Sequence, residues 1–111
     1  MADAPTVVNV AWQECDVYCG RQRGGMHFGN PFTHRPGSRF AVTVVGSVEE
    51  AIARYDSWLE GTTDRDVEPE RRVWILEAIP LLMGLRLGCH CAPRPCHCNV
   101  LARRAVAACG G

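Results

Sequence analysis

Apolar and polar positions fall along this chain in blocks that predict its elements. Residues 6–12 and 16–20 are short apolar runs containing Val, Tyr and Trp, parted by the polar stretch 13–15, and they predict two short strands. Residues 21–46 follow, with five glycines and two prolines. That composition forbids a regular helix, although the Val- and Thr-rich residues 40–45 suit a strand. An irregular segment of this length inside a compact chain is usually functional or mobile.

Ser47 opens the clearest helix. Ser47 as N-cap with Glu50 three residues on makes a capping box, which satisfies two otherwise unpaired amide donors. Val48, Ala51, Ile52, Tyr55 and Leu59 recur at three- and four-residue spacing as one buried stripe, and Gly61 ends it. After the acidic linker 64–70, Pro69 suits a first helical position. A second helix is expected to about Ile79, because Pro80 removes a donor and crowds the preceding turn. Residues 85–91 read as a buried central strand, Pro93 and Pro95 mark a tight turn, and 96–108 form a closing helix that Gly110 terminates. The order β-β-(β)-α-α-β-α predicts a small single-domain α/β fold over 1–111, with a three- or four-stranded sheet and flanking helices.

Composition changes this picture little. At 111 residues, 47% apolar and 22% charged, the chain is ordinary globular material with enough length for a core. No apolar run reaches the length of a membrane span, and residues 1–5 lack the basic and apolar regions of a secretory signal. A cytoplasmic chain with no membrane partner is expected, its seven cysteines reduced; the odd count argues against a closed disulfide framework. Every basic side chain is Arg, a pattern that a GC-rich genome explains without any functional demand. The charge is uneven, however. Residues 21–40 hold Arg21, Arg23, Arg35 and Arg39 and no acid, so this segment is +4 and the rest of the chain −4. One basic segment on a neutral chain suggests a local anion site, not a generally nucleic-acid-binding surface.

The most informative chemistry lies near the carboxyl end. Six of the ten residues from Cys89 to Cys98 are Cys or His. Strand alternation would point Cys89 and Cys91 to one face and His90 to the other. The turn then delivers Cys96 and His97 to the first turn of the last helix, where free amides and the helix dipole favour thiolate. Three thiols can thus converge, with His97 or Cys98 as a fourth ligand. Zinc suits such donors, although the spacing C-x-C-x4-C-H is not the usual knuckle. A metal-free pocket with activated thiol nucleophiles and an inert cluster of buried thiols both remain open. Cys15, Cys19 and Cys109 stand alone as packing residues, Cys19 being near enough to a strand end to reach the cluster.

A second constellation is Tyr18, Gly20 and Arg21, followed by Gly24, Gly25, Gly29, Asn30, Pro31 and Phe32. Glycines let amides turn toward an anion, and Arg forks bind phosphate. Phe28, Phe32 and Phe40 interleave with the Arg residues and suit base stacking, while an ordinary surface loop whose aromatics plug the core edge explains the same composition. No Walker or dinucleotide fingerprint is present.

Taken in order, Tyr18-x-Gly20-Arg21, Gly29-Asn30-Pro31-Phe32, Glu50-Ala51, Tyr55, Trp58-Leu59, Leu85-x-Leu87-Gly88-Cys89-x-Cys91-Ala92-Pro93, Cys96-His97 and Leu101-Ala102 resemble the bacterial and bacteriophage family catalogued as domain of unknown function 4326, over residues 6–104. In that family an aromatic usually stands where this chain has His90, and a small residue where it has Cys98. The resemblance therefore implies Cys89, Cys91, Cys96 and His97 as the shared set. It further implies that loop and cluster form one site, and that the chain is a viral accessory protein of the host cytoplasm. It supplies no reaction. The expectation is a nucleotide- or phosphate-binding domain, with Tyr18, Gly20, Arg21, Gly29, Asn30 and Phe32 holding the ligand and Cys91 and His97 as catalytic candidates for a transfer or hydrolysis. The rival is a zinc-stabilised module, with Cys89, Cys91, Cys96 and His97 as ligands, that engages host protein or nucleic acid. A host-takeover adaptor with no small ligand is a third reading.

Overall fold

The computed structural model describes residues 3–22, 25–35 and 43–110. Arg23, Gly24, Arg39, Phe40 and the first half of the expected strand 40–45 lie outside them. The elements are β1 (Thr6–Asn9), β2 (Val17–Tyr18), β3 (Phe32–Thr33), β4 (Thr43–Val44), α1 (Val48–Glu60), α2 (Pro69–Ala78), a 3-10 turn (Ile79–Leu82), β5 (Arg86–Cys89) and α3 (His97–Ala108). The α/β class agrees with the sequence reading, and so does the order of elements except for β3, an additional short strand inside the glycine-rich segment expected to be irregular. The strands divide into two small sheets, one of three strands in the order β1-β5-β2 and one of two, β3-β4.

β5 is central, as its apolar run requires. It pairs in parallel with β1, from Thr6 opposite Arg86 to Asn9 opposite Cys89, and with β2, where Val17 faces Leu87 and Tyr18 faces Gly88. Parallel pairing needs long crossovers, and here α1 and α2 intervene before β5 returns between the two earlier strands. β1 is shorter than expected. It stops at Asn9, whose carbonyl accepts the amides of Trp12 and Gln13 and whose Oδ1 accepts that of Ala11, so the chain turns away and leaves Trp12 exposed.

α1 has the expected cap in altered form. Ser47 Oγ accepts the Glu50 amide at 3.0 Å, but the Glu50 carboxylate reaches back one residue further, to the Gly46 amide at 2.5 Å. The buried stripe is also rotated. Val48 is exposed and Trp58 fully buried, because the helix packs against α3, β3 and α2, and Trp58 sets its indole N–H on the Val67 carbonyl. α2 ends at Ala78 with Ile79 as its cap, as Pro80 requires, and the chain continues as a 3-10 turn whose first residues include Pro80, where the missing donor has no partner to lose.

The loop ahead of β3 is buried and needs partners for its carbonyls. Arg71 of α2, only 4% exposed, provides two. Its Nη1 donates to the carbonyls of His27 and Gly29 at 2.9 and 2.6 Å, its Nε and Nη2 pair with Glu68, and the guanidinium lies over the Trp58 ring. Arg72 donates to the carbonyls of Trp58 and Leu59, giving α1 the cationic C-terminal partner that its own last turn lacks.

Replacing Arg71 strands two buried carbonyls and should cost roughly 2–4 kcal/mol of stability. Urea denaturation of Arg71→Met checks this against Arg103→Met, which removes an exposed Asp56 pair and should cost under about 1 kcal/mol.

His27 gives a pH signature. Its Nδ1 accepts the Gly29 amide at 3.0 Å, and burial, aided by the nearby Arg71 charge, holds its pKa below the usual 6.5. The unfolded chain then binds the proton more readily, so stability is full above about pH 6.5 and falls as the solution becomes more acidic. His27→Gln keeps an acceptor without a proton to gain. Its melting temperature should fall less steeply than the parent's as pH drops below 6.5, and identical slopes would remove His27 as the cause.

Candidate metal centre

The parallel sheet sets the site by bringing three strand ends to one edge. Cys89 is the last residue of β5, buried against α3. Beyond it the chain leaves the sheet and turns through Pro93 and Pro95, with the Arg94 amide on the Cys91 carbonyl at 2.8 Å. Cys96 is then the N-cap of α3. Its extended backbone lets its sulfur accept the Cys98 amide at 3.3 Å, while Asn99 Oδ1 accepts the Cys96 amide at 2.9 Å, a capping box with sulfur in the place of a hydroxyl. Cys98, fully buried one residue inside the helix, completes the group.

The sulfurs of Cys89, Cys96 and Cys98 all lie within 4.8 Å of one another, and those of Cys89 and Cys96 are 3.4 Å apart. Bonds of about 2.3 Å to a tetrahedral zinc put sulfurs about 3.8 Å apart, so three such ligands fit with small side-chain rotations. All three are free thiols. The surroundings favour thiolate at one of them. Hydrogen bonds to the Cys89 sulfur, from the Cys98 thiol first and then from the amides of Cys91 and Ala92 and the Cys96 thiol, draw its pKa down to about 5. Cys98 is pushed in the opposite direction, because it is the donor to its neighbours. A metal ion bound to that thiolate would take the place of the donor protons around it.

Cys91 and His97 stand outside this triad. Alternation ceases to govern Cys91 because β5 ends two residues earlier. Its thiol is half-buried near Arg21, and burial raises its pKa. The ring of His97 turns into the core, edge-on to Tyr55 with centroids 5.0 Å apart, and its Nε2 donates to the Cys19 carbonyl at 2.5 Å. Burial keeps it neutral, with a pKa near 4. His90 is exposed, its ring edge-on to Tyr18.

The glycine-rich loop is held by the residues that the sequence marks out. Arg21 donates from Nε to the Asn30 carbonyl and from Nη2 to that of Phe32, both at 2.6 Å. Asn30 is buried, its Nδ2 on the Ala51 carbonyl and its Oδ1 accepting the Phe32 amide. Phe32 is fully buried against Trp58. A Cβ on Gly29 would fall 2.6 Å from the Arg21 Cα, and one on Gly20 would meet the Tyr18 ring, so glycine permits both close approaches. A hollow of about 250 Å³ is lined by Gly25, Met26, Glu68, Pro69, Glu70 and Arg71 and includes none of the cysteines.

The family model described as domain of unknown function (DUF4326) matches residues 7–107, which takes in loop, sheet and cluster together. The chain belongs to this family. No curated protein and no solved structure matches it. Of the four residues that the resemblance implies, Cys89 and Cys96 meet in the cluster, and the third sulfur there is that of Cys98.

One residue of the site escapes the sequence reading. Asn9, buried at the end of β1, donates from Nδ2 to the carbonyls of His90 and Ala92 at 3.2 and 2.9 Å, pinning the segment between Cys89 and Cys96. The signal available was a polar residue closing an apolar strand. Asn9→Ala should cost about 1–3 kcal/mol and speed amide exchange in residues 90–95, while exchange in α1 at a matched global stability is unchanged. Urea denaturation and hydrogen-exchange mass spectrometry check the two parts.

Proposed function

We propose that this domain is a metal-held binding module, in which Cys89, Cys96 and Cys98 bind one thiophilic ion, zinc before others, that fastens the end of β5 to the start of α3. The observation that carries this reading is the convergence of three buried free sulfurs within 4.8 Å, one of them surrounded by donors. Thiolates select soft or borderline cations, and zinc brings no redox chemistry that would oxidise them. A cation there would offset the repulsion among sulfurs that must all lose their protons to bind it. The outer side of this edge, with exposed Trp12 and His90 and the half-buried Tyr18, is then the surface that meets a protein or nucleic-acid partner.

A small anion held by Arg21 has less in its favour. Two of that guanidinium's nitrogens are engaged by the loop's own carbonyls, and Asn30 is paired on both sides. Residues that keep a loop in shape are a sufficient account of that motif.

The expected outcome is about one zinc per chain in protein purified without chelator, measured by elemental mass spectrometry. Stripping it should melt the domain by circular dichroism, because the ion supplies folding energy. Cys89→Ser and Cys96→Ser should each cut zinc content to near background, and Cys91→Ser should leave it intact. A wild-type protein that stays metal-free in excess zinc, with an unmoved melting temperature, would falsify the reading.

A further inference from the structure

Three ligands leave one position of a tetrahedral ion open, and the fold offers a residue for it. Continuing the register of β2 past Tyr18 opposite Gly88 sets Cys19 beside Cys89 on the neighbouring strand, and the Cys19 amide donates to the Gly88 carbonyl at 2.8 Å. Adjacent strands in register direct corresponding side chains to the same face, about 4.8 Å apart. Cys19 is fully buried, and its sulfur lies outside the group within 4.8 Å of one another. Its partner is the Val17 carbonyl at 3.8 Å, a long contact that the side-chain rotation needed to join the group gives up at little cost.

The competing donors are less well placed. His97 already donates from Nε2 to the Cys19 carbonyl, and Cys91 lies two residues past the end of β5, half-exposed and out of register with the strands, whereas Cys19 is buried and in register with Cys89. The His97 contact has a further consequence: the residue between Cys96 and Cys98 holds the Cys19 backbone, so ligand and ligand-bearing helix turn are fixed to each other.

Resting on the metal reading above, we infer that Cys19 is the fourth ligand and that the centre is a closed four-thiolate site joining β2, β5 and α3. Such a site has no position for water or substrate, so the ion is structural, not hydrolytic. It also links Cys19 to Cys89 across seventy residues of chain, and closing so long a loop is where a cross-link stabilises most.

Cobalt(II) titration of the metal-stripped chain tests this, since sulfur-to-cobalt charge-transfer absorption rises with the number of bound thiolates. Wild type should show the spectrum of four. Cys19→Ser should lose about a quarter of that intensity and bind cobalt at least about 10-fold more weakly, while Cys91→Ser matches wild type. Should Cys19→Ser not fold, X-ray absorption on the wild-type zinc form gives the answer directly: four sulfurs at about 2.3 Å are expected, and three sulfurs with a lighter atom would overturn the assignment of Cys19. A wild-type cobalt spectrum retained in Cys19→Ser, or lost in Cys91→Ser, overturns it equally while leaving the bound metal in place. No uptake of cobalt or zinc by wild type sinks the three-cysteine reading itself and this inference with it.

Discussion

Parallel pairing of β1, β5 and β2 is the constraint on which the rest of this molecule depends. In a parallel sheet every strand ends at the same edge, so Asn9, Cys19 and Cys89, far apart in the chain, arrive side by side. The short turn after β5 returns the chain to that edge as the start of α3, whose first amides have no intrahelical partner. Sulfur meets those amides from Cys96, and Cys89 sits where the amides of the turn converge. The thiol cluster is therefore a product of topology. Fragments containing residues 89–98 alone would carry the same side chains without the register that assembles them.

The glycine-rich segment illustrates a different economy. A loop that runs through the interior must find a donor for each carbonyl it buries, and side chains from three directions supply them. Arg21 serves the carbonyls of Asn30 and Phe32, Arg71 those of His27 and Gly29, and Tyr55 that of Phe28. Guanidinium groups suit this task because one planar fork reaches two oxygens and keeps its charge at any pH. Arg and Asn next to glycine in a motif can thus hold a buried loop in shape as readily as they can serve a phosphate, and here they bond the loop itself.

Much of the architecture was legible in the chain. The helix after Ser47, the closing helix, the central strand near residue 87 and the α/β class followed from periodicity, caps and breakers, which are local effects. The misjudged details were all set by neighbours. Trp58 replaces Val48 on the buried face because α1 is covered by α3, β3 and α2 together, and Glu50 caps Gly46 because the preceding turn brings that amide within reach. Strand 6–12 ends early because the Asn9 side chain captures its own turn.

By itself the sequence determined that a dense set of thiols and imidazoles stands at a strand end and a helix start, and which elements carry them. Spacing and composition act over a few residues and suffice for that. Only the tertiary structure decided which members meet. Cys98 joins Cys89 and Cys96, His97 turns to the core, and Cys91 falls outside, because β5 stops at Cys89 and the helix then sets the directions of residues 97 and 98. The roles of Cys19 and Asn9 depend on which strands lie next to β5, and neighbourhood across seventy residues or more is not written in any local pattern.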